Sequence, residues 1–368
     1  MRNIVIVQQY VPSYRIPFFE ALSATLEMQE IELTVAASTP PRSLSKRSDS
    51  ADAKWITRVP EYRIDAVGKS LILGGSHKSW KKSDGVILPL QGTCIDSYRA
   101  LMGANRHSRR VGLWGHVKSY VNAPNRIDIA AERWLMERAD QIFAYTPGGA
   151  RFAVASGIKS NKITTVMNSV NTDSLEIARK SLTDSKVKDF RGKYDIPNEH
   201  NISYIGALDE SKRIKFLCNV LDKLWIEDPS ITLLVGGRGD QEHLLNDAVK
   251  RGQCKMLGYV DDEAKALMGH VSAAIVIPGR IGLVAVESLL LGLPILSTNW
   301  PYHAPESEYL TEGSTLYTSE NTIPAYAHLI MKSVNGGTKK FPNEGCPIYP
   351  TLANMVQNFT TGISKMLS

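Results

Sequence analysis

Cysteine is scarce in this 368-residue sequence: Cys94, Cys218, Cys254 and Cys346 stand far apart, with no paired spacing. That argues against a disulfide framework and against a zinc site, and buried or idle thiols are expected. No uninterrupted apolar stretch approaches the ~20 residues of a membrane span, and the first apolar run, Ile4 to Val7, is too short for a signal peptide. A cytoplasmic location is therefore expected. Aromatic-rich nucleic-acid motifs are also missing, so no nucleic-acid partner is expected. What remains, 43% hydrophobic and 22% charged residues, is the balance of a globular protein with length enough for two domains.

Acidic residues are outnumbered by basic ones in the first half only. Residues 1–198 hold 29 Lys and Arg against 19 Asp and Glu, a net of +10, whereas 199–368 hold 14 against 18, a net of −4. A basic half suits an anionic membrane surface or a phosphate-bearing acceptor, each nearby cation contributing about 1 kcal/mol at such a surface. Scattered solvated lysines and arginines would give the same count.

The most informative stretch is Val271 to Asn299. An apolar run, Ala273 to Ile277, breaks at Pro278-Gly279. A helix is predicted from Gly282 to the stop at Gly292-Leu293-Pro294, and Ile295 to Thr298 reads as a strand. The amides of Gly282, Leu283 and Val284 would then point outward at the positive end of a helix, where phosphate binds. Arg280 adds a cation beside them. Glu287, the only charged residue of that helix, is expected one and a half turns further in, a place that suits a sugar hydroxyl better than a phosphate. An ordinary helix–strand packing unit with a stray glutamate has the same pattern.

Along the first half, Asn3–Gln8, Ile31–Ala37, Trp55–Ile64, Val86–Leu90, Val111–Trp114, Gln141–Tyr145 and Ile163–Met167 read as strands. Helical spacing is found at 13–26, 95–103, 126–139 and 148–156, and 38–53 reads as a polar loop. In the third of these helices Ile129, Trp134, Leu135 and Met136 should face inward, and Glu132, Arg133 and Arg138 outward. Tyr14 and Arg15 fall in the loop after the first strand, and His116 lies just beyond Trp114-Gly115, where open α/β sheets hold ligands.

In the second half, strands at 202–205, 231–235 and 255–257 each run into glycine: Gly206, Gly236-Gly237 and Gly258. Lys212 and Arg213 follow the first of these. Asp261-Asp262 reads as an N-cap, which accounts for the carboxylate pair better than a metal does.

Together these motifs resemble family 4 glycosyltransferases, retaining enzymes of the GT-B fold. The carriers are the Tyr10 to Phe19 opening, Trp114-Gly115-His116, the run from Ala139 to Thr172, Gly206 to Arg213, and the 279–287 signature. The resemblance covers nearly the whole chain apart from 38–82. It implies an α/β architecture: two Rossmann-like doubly wound domains facing across a cleft that closes on substrate, and a C-terminal helix crossing back to the first domain. The corresponding boundaries are an acceptor domain at 1–172, a linker at 173–198, a nucleotide-sugar domain at 199–350 and a crossover helix at 351–368. It also implies transfer of a hexosyl group from a UDP- or GDP-linked sugar to a hydroxyl of a glycan or lipid-linked glycan. The expected protein is a monomer, peripheral at the inner membrane face, with no cofactor and no metal.

Residue by residue, the resemblance puts Glu287 on the ribose, Gly282, Leu283 and Val284 on the phosphates, and Lys212 on the pyrophosphate. It further puts Val260 by the base and His116 beside the transferred sugar, with Gly206, Arg213 and Arg280 as further donor contacts. Tyr14 and Arg15 go to the acceptor. Two positions depart from the pattern: Gly279 stands where a glutamate is expected, and Ala207 where an arginine is. Those departures keep open a catalytically degenerate binding or partner protein. A nucleotide-sugar 2-epimerase of similar fold is the other alternative.

Overall fold

The computed structural model describes residues 1–39, 53–66, 69–118, 120, 126–341 and 349–368. Most of the polar loop expected at 38–53 thus lies outside the described residues. The chain divides into two compact units, Met1–Asn171 with Pro350–Ser368, and Thr172–Tyr349.

Unit 1 contains strands β1 (Arg2–Gln8), β2 (Ile31–Ala37), β3 (Ile56–Arg58), β4 (Glu61–Ala66), β5 (Lys69–Gly74), β6 (Gly85–Pro89), β7 (Arg110–Gly115), β8 (Gln141–Ala144) and β9 (Ile163–Thr165). Seven of them form a parallel sheet in the order β3-β2-β1-β6-β7-β8-β9. Ile4, Val5, Ile6 and Val7 are all buried, because a central parallel strand is covered on both faces and needs an unbroken apolar run. The single strand expected at 55–64 is two. Pro60 has no N–H to extend the β3 ladder, and the chain leaves the sheet there for an antiparallel β4–β5 hairpin.

Two helices of this unit bear on the expectations. Helix α1 (Ile16–Glu27) buries Phe18, Phe19, Leu22 and Leu26. Helix α2 (Arg126–Arg138) buries Leu135 and Met136 but leaves Ile129 exposed, correcting its expected inward position. Glu132, expected outward, is half-buried; burial first, and Asp128 next, push its carboxyl up to about 7.

Unit 2 holds β10 (Asn201–Ile205), β11 (Thr232–Gly236), β12 (Cys254–Gly258), β13 (Ile275–Val276), β14 (Ile295–Thr298) and β15 (Leu316–Ser319). They form a parallel sheet in the order β12-β11-β10-β13-β14-β15. The order reverses between β10 and β13, and in doubly wound sheets ligands bind beyond the carboxyl ends of the strands at that reversal. The segment 173–198, expected as a linker, is part of this unit. It forms two helices, α3 (Asp173–Lys180) and α4 (Asp184–Tyr194), and Leu175, Phe190 and Ile196 are buried in the unit's core.

The remaining helices that matter below are α5 (Ile214–Glu227), α6 (Asp262–Val271), α7 (Val284–Leu291) and α8 (Leu352–Leu367). Helix α8 belongs to unit 1. Thr351 and Asn354 close a capping box at its start. Met355, Phe359, Ile363 and Met366, spaced to share one face, are buried in the unit 1 core. Phe359 stacks on Phe143 with ring centroids 4.7 Å apart.

Candidate active site

At the reversal in unit 2, the segments 206–213 after β10 and 278–283 after β13 lie against each other. The Arg280 amide donates to the Ser211 carbonyl at 2.9 Å, and Lys212 Nζ donates to the Arg280 carbonyl. Gly279 is what permits this approach, since a Cβ there would lie 2.6 Å from the Ser211 oxygen and from the Lys212 carbonyl carbon. Gly237 makes the corresponding approach on the other side, a Cβ there falling 1.8 Å from the Gly206 oxygen. Ala207, the second departure from the family pattern, has its carbonyl fixed by the Tyr204 hydroxyl at 2.6 Å.

Helix α7 opens at this junction. Its first bonds run from the amides of Ala285 and Val286 to the carbonyls of Gly282 and Leu283, both 2.9 Å. The amides of Gly282, Leu283 and Val284 find no acceptor among the described residues. A Cβ on Gly282 would meet nothing within 4 Å, so the helix end is open. Unpaired amides there, with Lys212 anchored two residues back along the turn, are an arrangement of the kind that suits an anionic group.

Glu287 lies in the first turn of α7 rather than a turn and a half in, because the helix starts at Val284 and not Gly282. Its Oε1 accepts from Lys265 Nζ at 2.7 Å. Arg213, expected as a donor-binding cation, is tied into the fold. Its Nη1 donates to the Pro278 carbonyl at 2.9 Å and the Thr298 hydroxyl at 3.2 Å, and the guanidinium lies 4.2 Å from the Phe216 ring centroid. It braces the turn, and burial lowers its pKa. Arg280 is half-buried, and its backbone amide and carbonyl join the two segments, as above. The Val260 side chain is buried beside Gly236, which leaves its backbone for any base contact. Asp261 caps α6 as expected, accepting from the Ala264 amide at 2.8 Å.

Sequence reasoning missed two residues of this site. Lys265 carried no signal, since its partner is on another helix. His303 carried a weak one, the Tyr302 to Glu306 turn after the signature. Its Nδ1 accepts the Ile281 amide at 3.3 Å, and Nε2 faces the Thr298 carbonyl at 3.4 Å. This arrangement requires a neutral ring with the proton on Nε2. Burial, with the Lys212 and Arg213 cations adding to it, lowers the imidazole below the ordinary 6.5. The unfolded chain therefore binds more protons than the native one between the lowered value and 6.5, and stability falls as pH drops through that window. Melting temperature is expected to hold above pH 7 and decline below about 6.5, and His303→Gln should flatten that part of the profile. An unchanged slope in the variant would refute this assignment.

In unit 1, His116 follows β7, its ring edge-on to Tyr145 at 4.6 Å and to Tyr120 at 5.8 Å. Tyr14 is 42% exposed. Arg15, expected to contact an acceptor, is instead buried: Nη2 donates to Asn168 Oδ1 at 2.5 Å, and the guanidinium lies 5.3 Å from the Trp114 centroid. Asn168, Met355 and the aromatic faces of Phe18, Trp114 and Tyr145 hold the guanidinium inside the unit.

Residues 199–334 match the family model described as Glycosyl transferases group 1. A relative in Klebsiella pneumoniae, an uncharacterized 41.2 kDa protein in the cps region, is 26% identical over 179 residues, 47% of each protein. The match thus spans just under half the length of that relative. Among solved structures, Anabaena HepE in complex with UDP has a TM-score of 0.63 and 12% identity over 99% of this chain and 97% of that one. The apo lipopolysaccharide outer core galactosyltransferase WaaB has a TM-score of 0.64 and 16% identity over 98% and 99%. The UDP-GlcNAc 2-epimerase of Methanocaldococcus jannaschii is less similar, with a TM-score of 0.57 and 11% identity over 98% and 100%. The chain has the GT-B fold, and its residues 199–334 match the glycosyl transferases group 1 model, a combination that supports glycosyl transfer.

Proposed function

We propose that the protein is a retaining glycosyltransferase of the family 4 type. It moves a hexosyl group from a UDP- or GDP-linked sugar to a hydroxyl of a glycan or lipid-linked glycan, as a monomer whose basic first half meets an anionic membrane surface. The observation that supports this best is the open start of α7, where three unpaired amides lie beside the anchored Lys212. In this reading the bond from the anomeric carbon to phosphate breaks, and the acceptor oxygen attacks the same face. The departing phosphate takes the acceptor's proton. Lys212 and the amides of Gly282, Leu283 and Val284 stabilise the charge left on the diphosphate, so the step needs no divalent metal. Glu287 holds the ribose, and His116 positions the transferred sugar.

A panel of UDP- and GDP-sugars tests the reading. Slow hydrolysis of one donor, and a product with the donor's anomeric configuration by NMR, support it. Interconversion of sugars would indicate an epimerase, and binding without turnover a degenerate scaffold. His116→Ala and Glu287→Ala are each expected to lower transfer by well over tenfold, a loss above about 1.4 kcal/mol in kcat/KM. Full activity in both variants would remove the site assignment.

A further inference from the structure

Glu287 is held from behind. Its Oε1 accepts from Lys265 Nζ at 2.7 Å, with the two side chains only 17% and 19% exposed. Lys265 also donates to Asp262 Oδ1 at 3.1 Å, and Asp262 Oδ2 accepts the Ser174 hydroxyl. The chain Ser174, Asp262, Lys265, Glu287 therefore joins α3, α6 and α7. The Glu287 Oε2 has no partner among the described residues, so half of the carboxylate is available to accept hydroxyl protons.

A buried ion pair is a poor way to glue two helices, because desolvation offsets most of its Coulomb energy and an apolar pair of similar volume packs as well. What the pair does supply is position. A glutamate has three rotatable bonds, and an ammonium fixed on one of its oxygens selects one orientation for the other. Although burial acts to lower the Lys265 pKa, the Glu287 and Asp262 carboxylates outweigh it and raise it. Lys265 is therefore a permanent cation.

We infer that Lys265 is a positioning residue for nucleotide recognition: by holding Glu287 Oε1 it aims Oε2 at the ribose hydroxyls of the donor, and so makes the site selective for ribonucleotides. This inference rests on the donor-site reading above, and the selectivity ratio separates a positioning role from a merely structural one. A structural role weakens all ligands together, whereas an aiming role weakens only those with the hydroxyl.

UDP, GDP, ADP and CDP are titrated into the full-length protein by calorimetry, and the tightest binder is compared with its 2′-deoxy counterpart. Wild type is expected to prefer the ribonucleotide by at least tenfold. Lys265→Met should lose about tenfold for the ribonucleotide and less than twofold for the deoxy form, so that the preference collapses. Lys265→Arg should restore most of it. In a Glu287→Gln background, Lys265→Met should add almost nothing. If the methionine variant does not fold, Lys265→Gln is read by the same ratio. A ratio unchanged from wild type in the folded neutral variant overturns the inference and leaves the donor site standing. If wild type binds none of the four diphosphates, the donor-site reading falls and the inference with it.

Discussion

Lys212→Met is expected to lower kcat/KM for transfer by about 10²–10³, roughly 3–4 kcal/mol, the scale of losing a main donor to a developing oxyanion. The ammonium has three donors. One holds the Arg280 carbonyl, so the ammonium can also donate to a diphosphate without dismantling the turn. With Ala207 at the place of a second cation, and Arg213 tied to Pro278, Thr298 and the Phe216 face, the site leans on this one side chain. The control is thermal stability. Lys212 is half-buried, and its bond to Arg280 spans two loops, so its removal should shift melting by a few degrees at most while turnover collapses. Lys212→Arg should rescue poorly, since a planar guanidinium cannot keep both the carbonyl contact and the compact charge. Retention of wild-type kcat/KM within threefold in Lys212→Met would end the claim that this lysine stabilises the leaving group.

Legibility in the sequence followed burial. Strands covered on both faces declare themselves as unbroken apolar runs, as in Ile4 to Val7 and Leu233 to Val235. The 295–298 strand matched the structure residue for residue. The β4–β5 hairpin did not declare itself, because Tyr62, Ile64 and Leu71 are exposed apolar residues outside the parallel core. Tyr62 and Ile64 imitate one long buried strand when read with Trp55 to Ile56. Local chemistry was likewise legible: the Asp261 cap needs only its own helix. Arg15 was not, since it looks like a first-turn surface residue until Asn168, 153 positions later, and Met355 close over it. Lys265 and His303 escaped for the same reason. Their roles arise from groups 22 positions away, the Glu287 carboxylate and the Ile281 backbone amide, brought close only by the packing of α6 on α7 and by the return of the chain after β14.

Gly279→Glu restores the residue that the family pattern expects, and it should make the protein worse. If the glycine were merely a lost contact, a glutamate there would be tolerated or would raise turnover. The geometry argues otherwise. A Cβ at 279 has the Ser211 oxygen and Lys212 carbonyl carbon at 2.6 Å and the Lys212 oxygen at 2.7 Å. These are backbone atoms that cannot swing aside like the end of a side chain. Relief requires moving 206–213 away from 278–283, which breaks the Arg280 to Ser211 bond and takes Lys212 from its place at the helix end. Forcing extra atoms into such a packed contact costs about 1–3 kcal/mol, read as a fall in melting temperature of about 2–4 °C for each kcal/mol in a unit of this size. Donor affinity should fall more than tenfold. Gly279→Ala is expected to cost nearly as much, since the clash begins at Cβ, and that near-equality distinguishes a packing origin from a charge effect of the glutamate. Higher turnover in Gly279→Glu would show that the two loops yield easily. The close seating of Lys212 on the 278–283 turn would then be incidental to the chemistry rather than its basis.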